Sequence, residues 1–421
     1  MTRRTGGGAA FASLRIPEYR LLWWGGVFSF MGVQMQFLLR GLLAWELTHR
    51  EGGLGLVFLV FGITMLFFIP FGGVAADRLS KRRLLVIGQA SLVMVSLAMG
   101  IAVIADVAQF WMLLVAGALQ AAMFGLTGPA RTSMANDLVG PALLGNAISL
   151  SMMSMSTTRI FAPSLAGLLA GVAFAGIGGA YVVAAAFAAW SLVLTWRLPE
   201  VKASSQSTAS PLADIVDGVR YVAARKPLRR VVIASTVVIM FGFNYIAFIP
   251  ALVEGEFELG DGAVGLMSTA SSLGAVMIAV PVAARANSPR VRTYTIALGL
   301  GFGLTVMTLS AAPSYAVAFI ITIFIGAGAT GFQTLANSIV VTSSDPTHHG
   351  RVQSLMQLSF AGFGIVAFPL GITAEWIGLR PTIVIMGGVA LIATLVFAVL
   401  DARGDEYGLK EYGLDEISPE A

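Results

Sequence analysis

The chain has 421 residues, of which 57% are hydrophobic and 11% charged, with a formal net charge of +4 and a mean hydropathy of +0.84. A soluble domain carries about 25% charged residues, so too few polar side chains are present to clothe a water-soluble globule of this size. Cysteine is absent, which excludes disulfides, thiolate metal sites and cysteine nucleophiles.

A bilayer suits this composition. A spanning helix needs about 20 apolar residues, and in lipid only helices or closed barrels satisfy their own backbone. The apolar runs here are continuous and lack the two-residue alternation of a barrel strand, so an all-α polytopic membrane protein is expected. Met1 to Arg20 is basic, without a small-residue cleavage site after a short apolar core. No cleaved signal peptide is expected, and the first span itself would direct insertion. In chain order the predicted spans are 21–46, 53–75, 84–105, 108–130, 143–172 and 177–196, then 231–253, 262–284, 293–311, 314–341, 352–376 and 380–400. This gives twelve transmembrane helices in two pseudo-symmetric six-helix halves, 1–198 and 231–400, with a linker at 199–230 and a tail at 401–421. The linker opens Ser-rich, Ala203 to Ser210. An amphipathic helix should follow from Pro211 to Arg225, with Leu212, Ile215, Val216, Val219 and Val222 on one stripe. Such a helix would lie along the membrane surface.

The charges sort by side. Arg3, Arg4, Arg15 and Arg20 precede span 1; Arg78, Lys81, Arg82 and Arg83 follow span 2; seven basic residues from Arg197 to Arg230 occupy the central loop between spans 6 and 7; Arg285, Arg290 and Arg292 follow span 8. All fall on one side if the spans alternate. The other side offers mainly Arg50 and Arg380, with an acidic loop of Glu254, Glu256, Glu258 and Asp261. Both termini and the linker are therefore expected in the cytoplasm, the protein in a bacterial-type plasma membrane. Basic residues placed this way mark topology, not a nucleic-acid footprint. A repeat supports the two halves. Gly53-Leu-Gly55-Leu opens span 2 and Ala263-Val-Gly265-Leu opens span 8, and the same offset brings Asp77 to Asn287 and Arg82 to Arg292.

Ionisable groups at bilayer depth are costly and mark function. Arg159 lies about fifteen residues into span 5, roughly 22 Å along the helix, and no Asp or Glu sits at comparable depth. Arg40 shares a face of span 1 with Gln36, one turn away. Gln120 shares a face of span 4 with Gly117, Phe124 and Gly128. Gln333 and Asn337 share one on span 10 with Gly326 and Thr330, and Asn244 and Tyr245 sit beside Phe241 and Phe248 on span 7. Each of these polar residues either meets a passing solute or holds helices together. Met152, Met153 and Met155 form a flexible patch near Arg159. Glu46 and Glu375 are the carboxylates nearest a span centre. Glu46 shares span 1 with Gln36 and Arg40 and is the protonation candidate. No metal-ligand spacing, nucleotide-binding Gly loop or acid/base pair at depth occurs, so no cofactor, no metal and no enzymatic activity are expected.

The span 2–3 junction reads Gly73-Val-Ala-Ala-Asp77-Arg78-Leu-Ser-Lys81-Arg82-Arg83. It resembles the signature loop of the major facilitator superfamily, with Ser80 where that family commonly has Gly. In such a loop Gly73 permits close helix approach, Asp77 can pair with a neighbouring helix end, and the arginines anchor to anionic headgroups. Met35-Gln36 to Leu47-Thr48, Gly128-Pro-Ala-Arg131 with Asn136-Asp137-Leu-Val, Arg159 to Gly167, and Gly218-Val-Arg220-Tyr221-Val222 resemble the enterobactin-exporter and transmembrane-secretion-effector branch. Ala162-Pro163-Ser-Leu-Ala-Gly167 is a partial form of the antiporter motif, with Ala162 in place of its usual Gly.

The resemblance implies a secondary transporter that exports a small molecule by rocking of its halves, driven by an ion gradient, with the proton as coupling ion. Spans 1, 4, 7 and 10 would line the cavity, and Gly73, Asp77, Arg78, Arg82, Pro163 and Gly167 would gate it. Membrane lipids and the substrate are the expected partners, and a monomer is the expected state. An importer or uniporter on the same fold, or a non-transporting membrane sensor or scaffold, are the alternatives. Arg40 and Arg159 without a carboxylate at their depth favour an anionic or acid-bearing, partly apolar metabolite over a lipophilic cation.

Overall fold

A computed structural model describes residues 11–172, 175–200, 211–286, 288–345 and 348–411. Regular structure among them is helical: α1 (Pro17–Thr48), α2 (Glu51–Arg78), α3 (Lys81–Ile104), α4 (Phe110–Val139), α5 (Pro141–Ala170), α6 (Gly176–Trp196), α7 (Pro211–Ala224), α8 (Lys226–Phe241), α9 (Asp261–Arg285), α10 (Val291–Ser310), α11 (Tyr315–Thr342), α12 (His349–Ile377) and α13 (Leu379–Glu411). Eleven helices among the described residues are long and apolar enough to cross a membrane. Twelve spans are reached only if α5 is counted with them. That helix is 30 residues long, but Ser149, Ser151, Ser154, Ser156, Thr157, Thr158 and Arg159 dilute its apolarity.

Local chemistry sets the helix limits. Pro at the first turn opens α1, α5 and α8, where a missing N–H costs nothing. Gly140, at φ 73°, turns the chain between α4 and α5 in a conformation that a side chain would strain. Internal prolines recur in corresponding helices: Pro70 in α2 and Pro281 in α9, Pro163 in α5 and Pro369 in α12. Each removes one rung of the backbone ladder.

Contacts divide the chain into two compact units. The first holds Met1–Leu212, Ile246–Ser272 and Gly364–Leu379; the second holds Ala213–Tyr245, Leu273–Phe363 and Arg380–Ala421. Each unit uses the same crossing device. In the first, α3 meets α6 at Gly100 and Gly178, where a Cβ on either residue would lie 3.1 or 3.2 Å from the other's carbonyl oxygen. In the second, α10 meets α13 at Gly303 and Gly387, with corresponding distances of 2.9 and 2.6 Å. Helices this close exclude any side chain at the crossing. Each unit also pairs an arginine in the first turn of α3 or α10 with a carboxylate, Arg83–Glu200 at 3.7 Å in the first unit and Arg292–Asp401 in the second.

Two predicted elements differ in form. Span 7, expected as one helix over 231–253, is α8 followed by a 3-10 stretch, Gly242–Phe248, and a π turn, Ala251–Glu256. A Cβ at Gly242 would lie 2.6 Å from the Phe302 ring and 2.9 Å from Ala390. The Asn244 amide donates to the Met240 and Phe363 carbonyls, so its side chain competes with the helical ladder. The linker helix α7 is also fastened, rather than simply resting on lipid. The Tyr221 hydroxyl donates to Asp345 Oδ2 at 3.0 Å and accepts from the Asp345 N–H at 2.8 Å. The Tyr221 ring stacks on His348, and Arg351 donates to Asp217 at 2.7 Å. Tyr221 and Val222 are buried while Val216 and Val219 are exposed, so the expected apolar stripe is split between two faces. The Leu212 and Ile215 side chains lie outside the described residues.

Candidate functional site

Three predicted pathway residues come together in the first unit. Gln36 and Arg40 on α1 and Gln120 on α4 are each at most 5% exposed. Arg40 Nη2 donates to Gln120 Oε1, Gln120 Nε2 donates to Gln36 Oε1 at 3.0 Å, and Gln36 Nε2 donates to Ser96 Oγ on α3. Ser96 Oγ in turn donates to the Leu92 carbonyl at 2.6 Å. Unbonded, each of these buried polar groups would cost several kcal/mol. The Arg40 guanidinium also sits over the Phe61 ring at 5.1 Å and against Gly117. Its Nη1 is buried without a hydrogen-bond partner. No described Asp or Glu forms an ion pair with it. A cation held this way in a low-dielectric interior favours an incoming anion.

α1 and α4 repeat this arrangement in reverse. Arg131 of α4 lies against Gly26 of α1, where a Cβ would be 3.0 Å from its Nη1, and over the Phe30 ring at 5.6 Å. Fourteen residues separate Gly26 from Arg40 on α1, and Gly117 from Arg131 on α4, about 21 Å of helix in each case. Sequence reasoning missed Arg131 as a site residue because it ended span 4 at residue 130. The helix continues to Val139 and carries Arg131 within it. Beside this face a cavity of about 30 Å³ is lined by Ser29, Gln89 and Gln120 among others, and Gln89 Oε1 is buried there unbonded. That exceeds the roughly 10–15 Å³ a buried water needs.

The remaining predicted residues are placed elsewhere. Arg159 is half-buried on α5 and is engaged by another group of the protein, so the expectation of an uncompensated cation passes to Arg40. In the second unit, Asn244 and Tyr245 are buried, Asn244 on backbone carbonyls and Tyr245 edge-on to Phe302. Gln333 and Asn337 are half-buried on α11. Arg82 is half-buried at the start of α3. The side chains of Asp77 and Arg78 lie outside the described residues, as does the packing at Gly73. Lys81, one of the basic residues of the span 2–3 junction, is buried and ion-paired with Asp137 at the end of α4.

Gly167 belongs to a tight seam inside the first unit, and Pro163 precedes it by one turn of α5. A Cβ at Gly167 would lie 2.8 Å from the backbone N of Gly265 on α9, and one at Gly265 would lie 2.6 Å from Gly167 Cα. Ser164 and Ser272 share a hydrogen bond at 3.2 Å beside this crossing. Near the α1–α2 turn, Arg50 donates to Glu375 at 2.9 and 3.1 Å, and the Gly52 N–H adds a third bond at 3.1 Å. Glu46 is exposed at the end of α1, within electrostatic reach of Glu254 and Asp261. Burial and the neighbouring Asp261 carboxyl push the Glu254 carboxyl up to about 8.

A family model described as transmembrane secretion effector matches residues 8–407. The uncharacterized MFS-type transporter YfiS of Bacillus subtilis is 24% identical over 374 residues, 84% of this chain and 86% of its own length. The enterobactin exporter EntS of Shigella flexneri is 23% identical over 245 residues, 58% of this chain and 57% of its own. A crystal structure of a bacterial homologue of the human lysosomal transporter Spinster, inward-facing and unoccupied, matches with a TM-score of 0.72. It is 14% identical, and the match covers 94% of this chain and 97% of that one. At that identity the likeness concerns the fold alone.

Proposed function

The chain belongs to the transmembrane secretion effector family of major facilitator transporters, and on that premise we propose that it exports a small anionic or acid-bearing metabolite by alternating access. It is a multi-pass membrane transporter. Export is favoured by its similarity to an enterobactin exporter. The substrate class rests on one observation: Arg40 is buried with one guanidinium nitrogen unbonded and no described carboxylate paired to it. Arg131 extends the same cationic face along α4. Gln36, Gln120, Arg159, Asn244, Tyr245, Gln333 and Asn337 complete the proposed pathway, whose gating residues are Gly73, Asp77, Arg78, Arg82, Pro163 and Gly167. The proton is the proposed coupling ion, with Glu46 and its neighbour Glu254 as the groups that carry it. The charge asymmetry of the loops supports a bacterial plasma membrane with both termini cytoplasmic. We retain the division at 1–198, 199–230, 231–400 and 401–421, and a monomer.

Everted membrane vesicles test this. With an imposed proton gradient they should take up catechol carboxylates and related aryl acids in preference to cationic dyes. Arg40→Lys should retain part of that uptake, and Arg40→Gln should lose at least about tenfold at an unchanged level of folded protein. Cationic dyes moved as well as anions, or full anion uptake in Arg40→Gln, would overturn the reading.

A further inference from the structure

The two units differ at one corresponding helix pair. In the first unit α1 and α6 close on each other. Ser191 Oγ donates to the Gly25 carbonyl at 2.6 Å, and a Cβ at Gly32 would lie 3.1 Å from the Ala184 carbonyl. In the second unit the corresponding helices, α8 and α13, leave a groove of about 630 Å³ between them. Its walls are apolar, with Ile233 and Val237 from α8 and Ile392, Val396 and Phe397 from α13 among them. Ile233 is 56% and Ile392 60% exposed, so the groove opens sideways. One end carries three cations, Lys226, Arg229 and Arg230. Arg229 Nη1 donates to the Ala223 carbonyl at 3.1 Å, and no ion pair engages any of the three among the described residues. Asp401, next to the groove's last residue Leu400, is already held by Arg292.

We propose that this groove binds one anionic phospholipid of the bilayer, its phosphate on Lys226, Arg229 and Arg230 and one acyl chain along α13. Charge complementarity and length select that occupant. A guanidinium fork holds phosphate oxygens with two parallel hydrogen bonds, and basic pockets between transmembrane helices take anionic headgroups. From Val389 to Leu400 the apolar wall runs twelve residues, about 16 Å from first to last. That is half of a hydrocarbon core about 30 Å thick, the depth one leaflet's chain occupies. The volume lies within the roughly 300–1,000 Å³ of ligand sites. Free phosphate would use the cations and leave the apolar wall unfilled.

Native mass spectrometry of the detergent-solubilised full chain tests the assignment, with phosphatidylglycerol and phosphatidylcholine of identical acyl chains as probes. The wild type should retain one phosphatidylglycerol about tenfold or more in preference to phosphatidylcholine. Lys226→Gln with Arg230→Gln should weaken phosphatidylglycerol by about 25-fold, about fivefold per cation removed, and leave phosphatidylcholine unchanged. Ala393→Phe fills the groove with the charges intact and should displace the lipid as well, which general surface charge would not explain. Val389→Phe serves if Ala393→Phe lowers the unfolding temperature. Equal retention of the two lipids by the wild type would overturn the proposal, as would phosphatidylglycerol binding that survives the charge and groove variants. Competition by inorganic phosphate alone, or a dimer that Ala393→Phe abolishes in place of a bound lipid, would do the same.

Discussion

Replacing Gly265 by Val should pry α5 from α9. A Cβ at this position would come within 2.6 Å of Gly167 Cα and 2.7 Å of Leu168 N, whereas ordinary contact begins at 3.4 Å. Both partners are backbone atoms and cannot swing aside, so the helices must part by about 1 Å at the crossing. A gap of 0.5–1 Å forfeits a quarter to a half of each dispersion contact along the seam, and overpacking of this kind costs about 1–3 kcal/mol. That changes the ratio of parted to closed seams by a factor of roughly 5 to 150. The chain has no cysteine, so a single reporter needs no prior engineering. Ser164 is 9% exposed and sits beside the crossing, bonded to Ser272. Ser164→Cys should react slowly with a hydrophilic maleimide in the parent and faster by that factor with Gly265→Val added. Unchanged labelling together with wild-type turnover would refute the steric argument.

Two further outcomes are expected. The Lys81 side chain is 3% exposed and that of Asp137 26%, so removing either should not cost the same. Asp137→Asn strands a buried cation and should lower stability by about 3–5 kcal/mol, whereas Lys81→Met leaves a carboxylate that can reach water and should cost about 1–2. Thermal unfolding in detergent would show the order, and equal or inverted losses would count against the pair as described. The Glu254 carboxyl is raised to about 8 by burial first and Asp261 second. A carboxyl raised on folding binds more protons in the native state, so stability should fall as pH rises from its unfolded value near 4.5 through about 8. Allowing for solvent screening of a half-exposed group, the loss is about 1–2 kcal/mol. Glu254→Gln should flatten that slope, and coincident pH profiles for the two proteins would contradict it.

Helix existence was legible because bilayer depth demands long apolar runs, and helix placement followed within a few residues in most cases. α5 was legible from its bounding Gly and Pro, although its hydroxyl-rich centre makes it less apolar than its neighbours. The break after Phe241 was not, since it depends on Phe302 and Ala390 packing against Gly242, residues distant in sequence. For the site, one-turn spacing put Gln36 and Arg40 on one face correctly. The bonds of Gln120 to Gln36 and Arg40 needed the α1–α4 contact, which spacing along one helix cannot supply. Lys81 shows the opposite limit. A cation in a basic loop reads as solvated, and only the proximity of Asp137 shows that it is buried. The arginine at position 131 was lost to a span boundary drawn nine residues early.

The bonded series from Arg40 to Leu92 begins at a group that can only donate and ends at one that can only accept. Its polarity is therefore one-way. Of the four ways to orient the Gln36 and Gln120 amides, one alone satisfies every link, and a flip at either residue sets donor against donor or acceptor against acceptor. The amides have no rotational freedom left to adapt to different cargo. On the proposed reading, a solute at Arg40 would meet a fixed template whose buried, unbonded guanidinium nitrogen is Nη1. Breadth of selectivity would then come from the apolar walls around it, while the polar contact would accept or reject on charge.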